Sequence, residues 1–318
     1  MRPKIAVTRR IPDEAMQVLA EAGEVVVSTE DRPLTPDELH DLIRGASAVV
    51  SMAFDRIDPA KIGPELRVVS NVAVGYDNLD VPGFAERGVV VTNTPGVLTD
   101  ATADLAFGLL LAVTRRLGEG ERLLRAKQPW SFHLGFMLGA GLQGKTLGIV
   151  GLGQIGQAFA KRALAFGLRI VYSGRSRVAP EIEEALGAKY LPFDELIATS
   201  DFVSLHCPLT PATRHLINAD VLRAMKPSAY LVNTTRGPVV DEPALADALL
   251  AGEIAGAALD VFEKEPEVEP RLLELDNVVV MPHLGSATVE TRTEMALLAA
   301  RNVVSVLAGT GPITEVRP

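Results

Sequence analysis

The stretch Thr146-Leu147-Gly148-Ile149-Val150-Gly151-Leu152-Gly153-Gln154-Ile155-Gly156 decides how this chain is read. Its first five residues form an apolar run of strand type, and a helical pattern over residues 155–166 follows at once. Three glycines occupy the junction at the spacing G-x-G-x-x-G. In a strand-to-helix turn, Gly151 allows the tight bend, Gly153 lets a pyrophosphate approach the backbone, and Gly156 permits close helix packing. The phosphates then sit at the helix N-terminus beside Gln154 and Ile155. Glycines alone carry little weight, but in this strand-then-helix context dinucleotide binding is the expected use.

Outward from this junction, apolar β-branched runs alternate with helical patterns. Runs at residues 5–7, 24–27, 48–51, 67–70 and 89–92 are interleaved with helical patterns at 12–22 and 35–45. After a long helical stretch near 100–127 the rhythm resumes, with strands expected at 146–150, 169–173, 202–206, 230–233, 257–261 and 278–281. Unbroken apolar strands separated by helices belong to parallel sheets covered on both faces, so the fold class is α/β. Residues 128–143, rich in glycine and aromatics (Trp130, Phe132, Phe136), interrupt the rhythm as an excursion or boundary loop.

The composition excludes several classes of protein. With 318 residues, 47% hydrophobic and 22% charged, the chain has room for two domains and a sizeable core, unlike a disordered or collagen-like chain. Thirty-one basic against 40 acidic side chains give a net charge of −9, the wrong sign for gripping nucleic acid. The longest aliphatic run, residues 105–113, is about half of the roughly 20 residues a membrane span needs, and reads as a buried helix. One cysteine, Cys207, cannot form an intrachain disulfide, and the chain opens on a strand with no signal-peptide core, so a cytoplasmic setting is expected.

The second strand of the dinucleotide unit ends Ser173-Gly174-Arg175-Ser176-Arg177. NAD sites usually place an acid there for the ribose 2′-hydroxyl, yet no Asp or Glu occurs between Gly156 and Glu181. Arg175 with Ser176 suits a 2′-phosphate instead. NADP(H) is therefore expected ahead of NAD(H), which stays possible, and no metal is expected.

Carbonyl chemistry with a nicotinamide needs a proton donor and a positive group. Of five histidines, His40 and His215 read as surface residues and His206 ends a buried strand beside Cys207. His283 directly follows the strand at 278–281, where α/β sheets present catalytic groups. Arg236, in Asn233-Thr234-Thr235-Arg236-Gly237, and the acids of Asp260-Val261-Phe262-Glu263-Lys264-Glu265-Pro266 sit at two more strand ends.

The motifs at 151–156, 233–237, 260–266 and 282–288 together resemble the D-isomer-specific 2-hydroxyacid dehydrogenases, in order and over essentially the whole chain. The resemblance implies that Arg236 holds the substrate carboxylate and carbonyl oxygen. It also makes His283 the proton donor and Glu265, which precedes a proline as in the family, the partner of His283. A carboxylate partner favours the imidazolium form. The same resemblance implies that backbone N–H groups of Val74 and Gly75, in Asn71-Val72-Ala73-Val74-Gly75-Tyr76-Asp77-Asn78, bind the substrate carboxylate, with Met52 and Ser286 lining the pocket. It assigns Thr102 and Asp104 to the start of a helix beside the nicotinamide, and Asp260 to the nicotinamide carboxamide. Ser173, Gly174, His206, Cys207, Pro208, Thr213, Thr234 and Gly285 complete the cofactor set. Cys207 is expected as a buried filler rather than a nucleophile.

Within the family, the loop at 71–80, the end of strand 169–173 and Trp130-Ser131-Phe132 are similar to the glyoxylate and hydroxypyruvate reductase branch. That implies reduction of glyoxylate to glycolate and hydroxypyruvate to D-glycerate, and a homodimer in which Trp130 reaches the neighbouring subunit's site. The chain ends soon after a helix at 289–307, so no appended C-terminal regulatory domain of the phosphoglycerate dehydrogenase kind is expected. 2-Ketogluconate reductase and D-lactate-type dehydrogenase activities remain open, as does an NAD(H)-sensing scaffold like the family's corepressor relatives.

The expected architecture is thus two Rossmann-like or flavodoxin-like α/β domains with parallel sheets. The outer, substrate-binding domain is discontinuous over 1–98 and 288–318, the dinucleotide domain spans 99–287, and the active site lies between them.

Overall fold

The computed structural model describes residues 2–30 and 32–318. The chain divides into two compact units, Met1–Leu98 with Ala287–Pro318, and Thr99–Ser286. Each is built around one all-parallel sheet.

The first unit runs β1 (Lys4–Val7), α1 (Asp13–Ala22), β2 (Glu24–Val27), α2 (Pro36–Ile43), β3 (Ala48–Ser51), β4 (Val68–Asn71), α3 (Val81–Glu86) and β5 (Val90–Thr92), and takes in the C-terminal helix Val289–Leu307. Successive strand side chains point to opposite faces, and the apolar runs let both faces bury. Ile5, Val7, Ala48, Val50 and Val68 pack with Ala296, Ala299, Ala300 and Val303 of the C-terminal helix. Ala6, Val49 and Val69 pack on the other side with Leu39, Ile43 and Phe84. The strand order β2-β1-β3-β4-β5 is the flavodoxin-like one.

The second unit runs α4 (Thr99–Thr114), α5 (Leu117–Arg125), β6 (Thr146–Val150), α6 (Gln154–Ala165), β7 (Arg169–Ser173), α7 (Pro180–Leu186), β8 (Lys189–Tyr190), α8 (Phe193–Thr199), β9 (Phe202–Leu205), α9 (Ala219–Ala224), β10 (Tyr230–Asn233), α10 (Glu242–Leu250), β11 (Gly256–Leu259), α11 (Pro270–Glu274) and β12 (Val278–Val280). Its order β12-β11-β10-β9-β6-β7-β8 is the Rossmann arrangement with one strand added at the edge. The order reverses between β6 and β9, and ligands of such sheets bind outside the carboxyl ends of the strands flanking that reversal.

The helical stretch near 100–127 is two helices. The Thr114 hydroxyl turns back onto the Leu110 carbonyl at 2.7 Å, and the Thr114 carbonyl accepts the Ala140 N–H at 2.8 Å. Arg116 then enters the left-handed region (φ 55°) to start α5. Strands β9, β11 and β12 stop one or two residues before the apolar runs do, which leaves His206 and Met281 beyond their ladders. Among the described residues no helix is long and apolar enough to cross a membrane.

Candidate active site

The ends of β10, β11 and β12 are neighbours in the sheet, and Arg236, Glu265 and His283 follow them. His283 sits at φ 55°, with its N–H donating to the Asp260 carbonyl at 2.8 Å. Its Nδ1 stands 2.9 Å from Glu265 Oε2, while Glu265 Oε1 accepts the Phe262 N–H at 3.0 Å. A proton on Nδ1 makes that contact a hydrogen bond, so Nε2 is the nitrogen through which the ring acts on anything else. Of the two acids after β11, Glu265 contacts His283, while Glu263 lies against His215.

Asp260, 1% exposed, underlies the same loop. Its two carboxylate oxygens accept the N–H groups of Leu284 (2.6 Å) and Gly285 (2.8 Å), and Thr102 Oγ1 donates to the Gly285 carbonyl at 3.0 Å. Burial pushes the Asp260 carboxyl up from its ordinary value against the opposing pull of those N–H groups. Asp260 and Thr102, two of the three residues assigned to the nicotinamide surroundings, therefore brace the His283 loop. Asp104 is held by Arg162 Nε at 2.6 Å, an ion pair between α4 and α6.

Arg236 follows a turn shaped by Asn233, which is fully buried. Asn233 Nδ2 donates to the Arg236 carbonyl at 3.0 Å, and Asn233 Oδ1 accepts from the Thr235 N–H and hydroxyl. The neighbouring Thr234 hydroxyl is buried and has no partner among the described residues.

At the dinucleotide turn, Gly151 has φ 97°, and a Cβ there would meet the His206 carbonyl and Cys207 nitrogen at 2.9 Å. A Cβ on Gly156 would stand 2.4 Å from the Gly151 carbonyl oxygen, so only glycine lets α6 come this close. Around Gly153 there is open space, and no side chain caps α6, whose leading N–H groups are left for an anion. The glycine cradle, the uncapped 12-residue helix and the orphaned Thr234 hydroxyl fit a dinucleotide.

At the end of β7, Ser173 is buried while Arg175 and Ser176 are exposed. Arg175 makes no hydrogen bond or ion pair with the described residues, whereas Arg177 is bound to Glu183. After β9, Cys207 is buried and its thiol is pushed up to about 11 by burial, as befits a filler. The Thr213 hydroxyl is committed within its own turn, donating to the Pro208 carbonyl at 2.7 Å and accepting the Thr210 N–H at 2.8 Å.

In the first unit, Val74 and Gly75 are half-buried in the loop after β4, and the Met52 N–H is fixed by Asp55 Oδ2 at 2.7 Å. Trp130, 56% exposed, stacks on Phe136 in the loop before β6, beside Phe132 at 80%. Ser286 is half-buried.

His40 and His215 are half-buried rather than free on the surface. His215 Nε2 lies 3.0 Å from Glu263 Oε1 without hydrogen-bond alignment, and the left-handed His215 backbone donates its N–H to the Pro238 carbonyl at 2.8 Å. Glu242, whose carboxyl is raised by burial, accepts the Glu263 and Glu269 N–H groups. Sequence reasoning passed over this brace beside Glu265. Its signal was Glu242 at the start of α10 and Glu269 just before α11, beside Glu263 in the loop after β11.

The profile of the D-isomer specific 2-hydroxyacid dehydrogenase NAD binding domain matches residues 107–285. A glyoxylate reductase of Thermococcus litoralis is 47% identical over 318 residues, covering 98% of this chain and 96% of that one. The crystal structure of an NADPH-dependent glyoxylate/hydroxypyruvate reductase from Sinorhizobium meliloti, in complex with NADP and malonate, superimposes with a TM-score of 0.86. It is 38% identical and covers 99% of this chain and 97% of its own. That of a glyoxylate reductase from Paecilomyes thermophila gives 0.89 at 33% identity, covering 99% and 98%.

Proposed function

The chain belongs to the D-isomer specific 2-hydroxyacid dehydrogenase family, and on that premise we propose that it reduces glyoxylate to glycolate and hydroxypyruvate to D-glycerate, with NADPH preferred over NADH. The observation that carries the reading is the His283–Glu265 pair at 2.9 Å beside the Arg236 strand end.

When bound, the reduced dinucleotide supplies a hydride to a carbonyl carbon. His283 gives a proton from Nε2 to the carbonyl oxygen while Glu265 holds the ring in place through Nδ1. Arg236 holds the carboxylate and offsets the charge developing on that oxygen. Asp260 and Thr102 keep residues 283–285 in place by the bonds described above. Backbone N–H groups at Val74 and Gly75 take the substrate carboxylate. Unpartnered Arg175 supports the NADP preference, since it offers a guanidinium at the end of β7 where an acid is missing. The exposed aromatic loop around Trp130 supports a homodimer, and the lone, reduced Cys207 a cytoplasmic setting.

The test is initial rates of NADPH and NADH oxidation with glyoxylate, hydroxypyruvate, pyruvate and 2-ketogluconate supplied separately. Fast NADPH-dependent turnover of either of the first two supports the reading. Preference for pyruvate or 2-ketogluconate moves the substrate while keeping the chemistry. Tight dinucleotide binding with no turnover of any of them overturns it in favour of a sensing role.

A further inference from the structure

The loop after β4 presents a run of unmatched donors. Among the described residues, no protein group accepts from the N–H groups of Val74, Gly75 or Tyr76. The preceding carbonyls, in contrast, are all occupied. The Ala73 carbonyl accepts the Thr94 N–H at 2.8 Å, the Val74 carbonyl accepts from Asn93 Nδ2 at 2.8 Å, and the Gly75 carbonyl accepts from Asn71 Nδ2 at 2.9 Å. In a trans peptide the N–H points opposite to the C=O of the same unit. Holding these three carbonyls therefore turns three consecutive N–H groups away from the residues that hold them, as an anion site built from backbone requires.

The holders are themselves fixed. Asn71 ends β4 fully buried, its Oδ1 accepting from Ser51 Oγ at 3.3 Å and its Nδ2 also reaching Asn78 Oδ1 at 3.3 Å. Asn78 Nδ2 donates to the Asp55 carbonyl at 2.9 Å and the Met52 carbonyl at 3.3 Å. Asn93 follows β5, with its carbonyl accepting from Thr314 Oγ1 at 2.7 Å. A buried amide at the end of an apolar strand needs such partners, and here one of them is the loop carbonyl.

We propose that Asn71 and Asn93 are positioning residues for the substrate carboxylate, that they act by holding the Gly75 and Val74 carbonyls, and that Tyr76 N–H joins Val74 and Gly75 as a third donor. This rests on the proposed function, which sends the carboxylate to this loop.

The experiment compares wild type with Asn93→Ala, the shape-preserving Asn93→Asp, and Asn71→Ala. It reads kcat and KM for glyoxylate, for glycolaldehyde (the same aldehyde without a carboxylate), the Kd for NADPH, and the calorimetric Kd for oxamate with NADPH present. Expected is a rise of about 10- to 100-fold in glyoxylate KM and oxamate Kd. The kcat/KM for glycolaldehyde and the NADPH Kd should stay within about twofold. Asn93 is only half-buried, so its variants keep the test open if Asn71→Ala does not fold. Equal losses on both aldehydes, or an unchanged oxamate Kd, overturn the proposal. Should wild type turn over no 2-ketoacid, the proposed function fails while oxamate binding still reads the subsite. Wild type that binds no oxamate overturns the positioning role as well.

Discussion

Arg177 is bound to Glu183 through two contacts, Nη2 to Oε2 at 2.6 Å and Nε to Oε1 at 3.1 Å, and this separates it from Arg175 two residues earlier. Tyr172 adds its hydroxyl to the same carboxylate at 2.5 Å, and the Glu183 carboxyl is held below its ordinary value by Arg177 first and Tyr172 second. Arg177 thus fastens the loop after β7 to α7, whereas Arg175 makes no hydrogen bond or ion pair with the described residues.

Arg175→Asp is accordingly expected to lower kcat/KM for NADPH by about 10- to 100-fold, the loss of a charged hydrogen bond, and to leave or improve that for NADH. Arg177→Ala should change the cofactor ratio little and lower stability slightly. Cofactor ratios that respond to Arg177 and ignore Arg175 would reverse the two assignments.

Removal of the proposed proton donor gives a second expectation. His283→Gln should cut kcat by about 10²- to 10⁴-fold while the NADPH Kd, read by fluorescence, holds. Glu265→Ala frees the ring from its acceptor and should cost less, on the order of tenfold to a hundredfold, mostly in kcat. Wild-type turnover in His283→Gln would remove the residue from the chemistry.

Asp260 bears on the same loop from below. Its carboxylate accepts two backbone N–H groups, and an amide cannot replace it, because Asn sets its own NH2 against one of them. Asp260→Asn is expected to lower stability by about 1–3 kcal/mol by denaturant melting and to lower kcat with it. A variant as stable and active as wild type would show that the 283–285 loop holds itself.

Most of the fold was legible because it is written in period and punctuation. The apolar runs that became β1, β3, β4, β6, β9 and β10 could bury only in covered parallel sheets, and Gly151 and Gly156 stand where backbone contact forbids any side chain. Arg236, Glu265 and His283 were legible through motifs at strand ends. What escaped was set by tertiary contacts. The break at Arg116 depends on Ala140 reaching back to Thr114, 26 positions away in sequence. The hold of Asp260 on the His283 loop and of Asn71 on Gly75 are hydrogen bonds that no periodicity encodes. The signal available was a buried polar residue closing an apolar strand, shared by Asn71 and Asn233.

His206 gives a pH dependence whose sign is fixed by burial. Its Nε2 contacts Ser204 Oγ at 2.8 Å, Nδ1 is buried with no partner among the described residues, and the ring lies 4.9 Å from that of Phe159. Burial pushes the imidazole down to about 3. In the unfolded chain an ordinary histidine takes its proton near 6.5. Below that pH the unfolded state binds a proton the folded state refuses, so stability falls as the pH drops from about 6.5 towards about 3. The slope from this one group is about 1.4 kcal/mol per pH unit. His206→Asn, which cannot titrate, should remove about one proton from the acid-side slope measured by denaturant melts between pH 6 and pH 4. Absolute stability at pH 8 tests packing separately, because the ring is neutral there in both states. An unchanged slope would mean that the wild-type imidazole is protonated in the folded protein, with Nδ1 finding a partner as it charges.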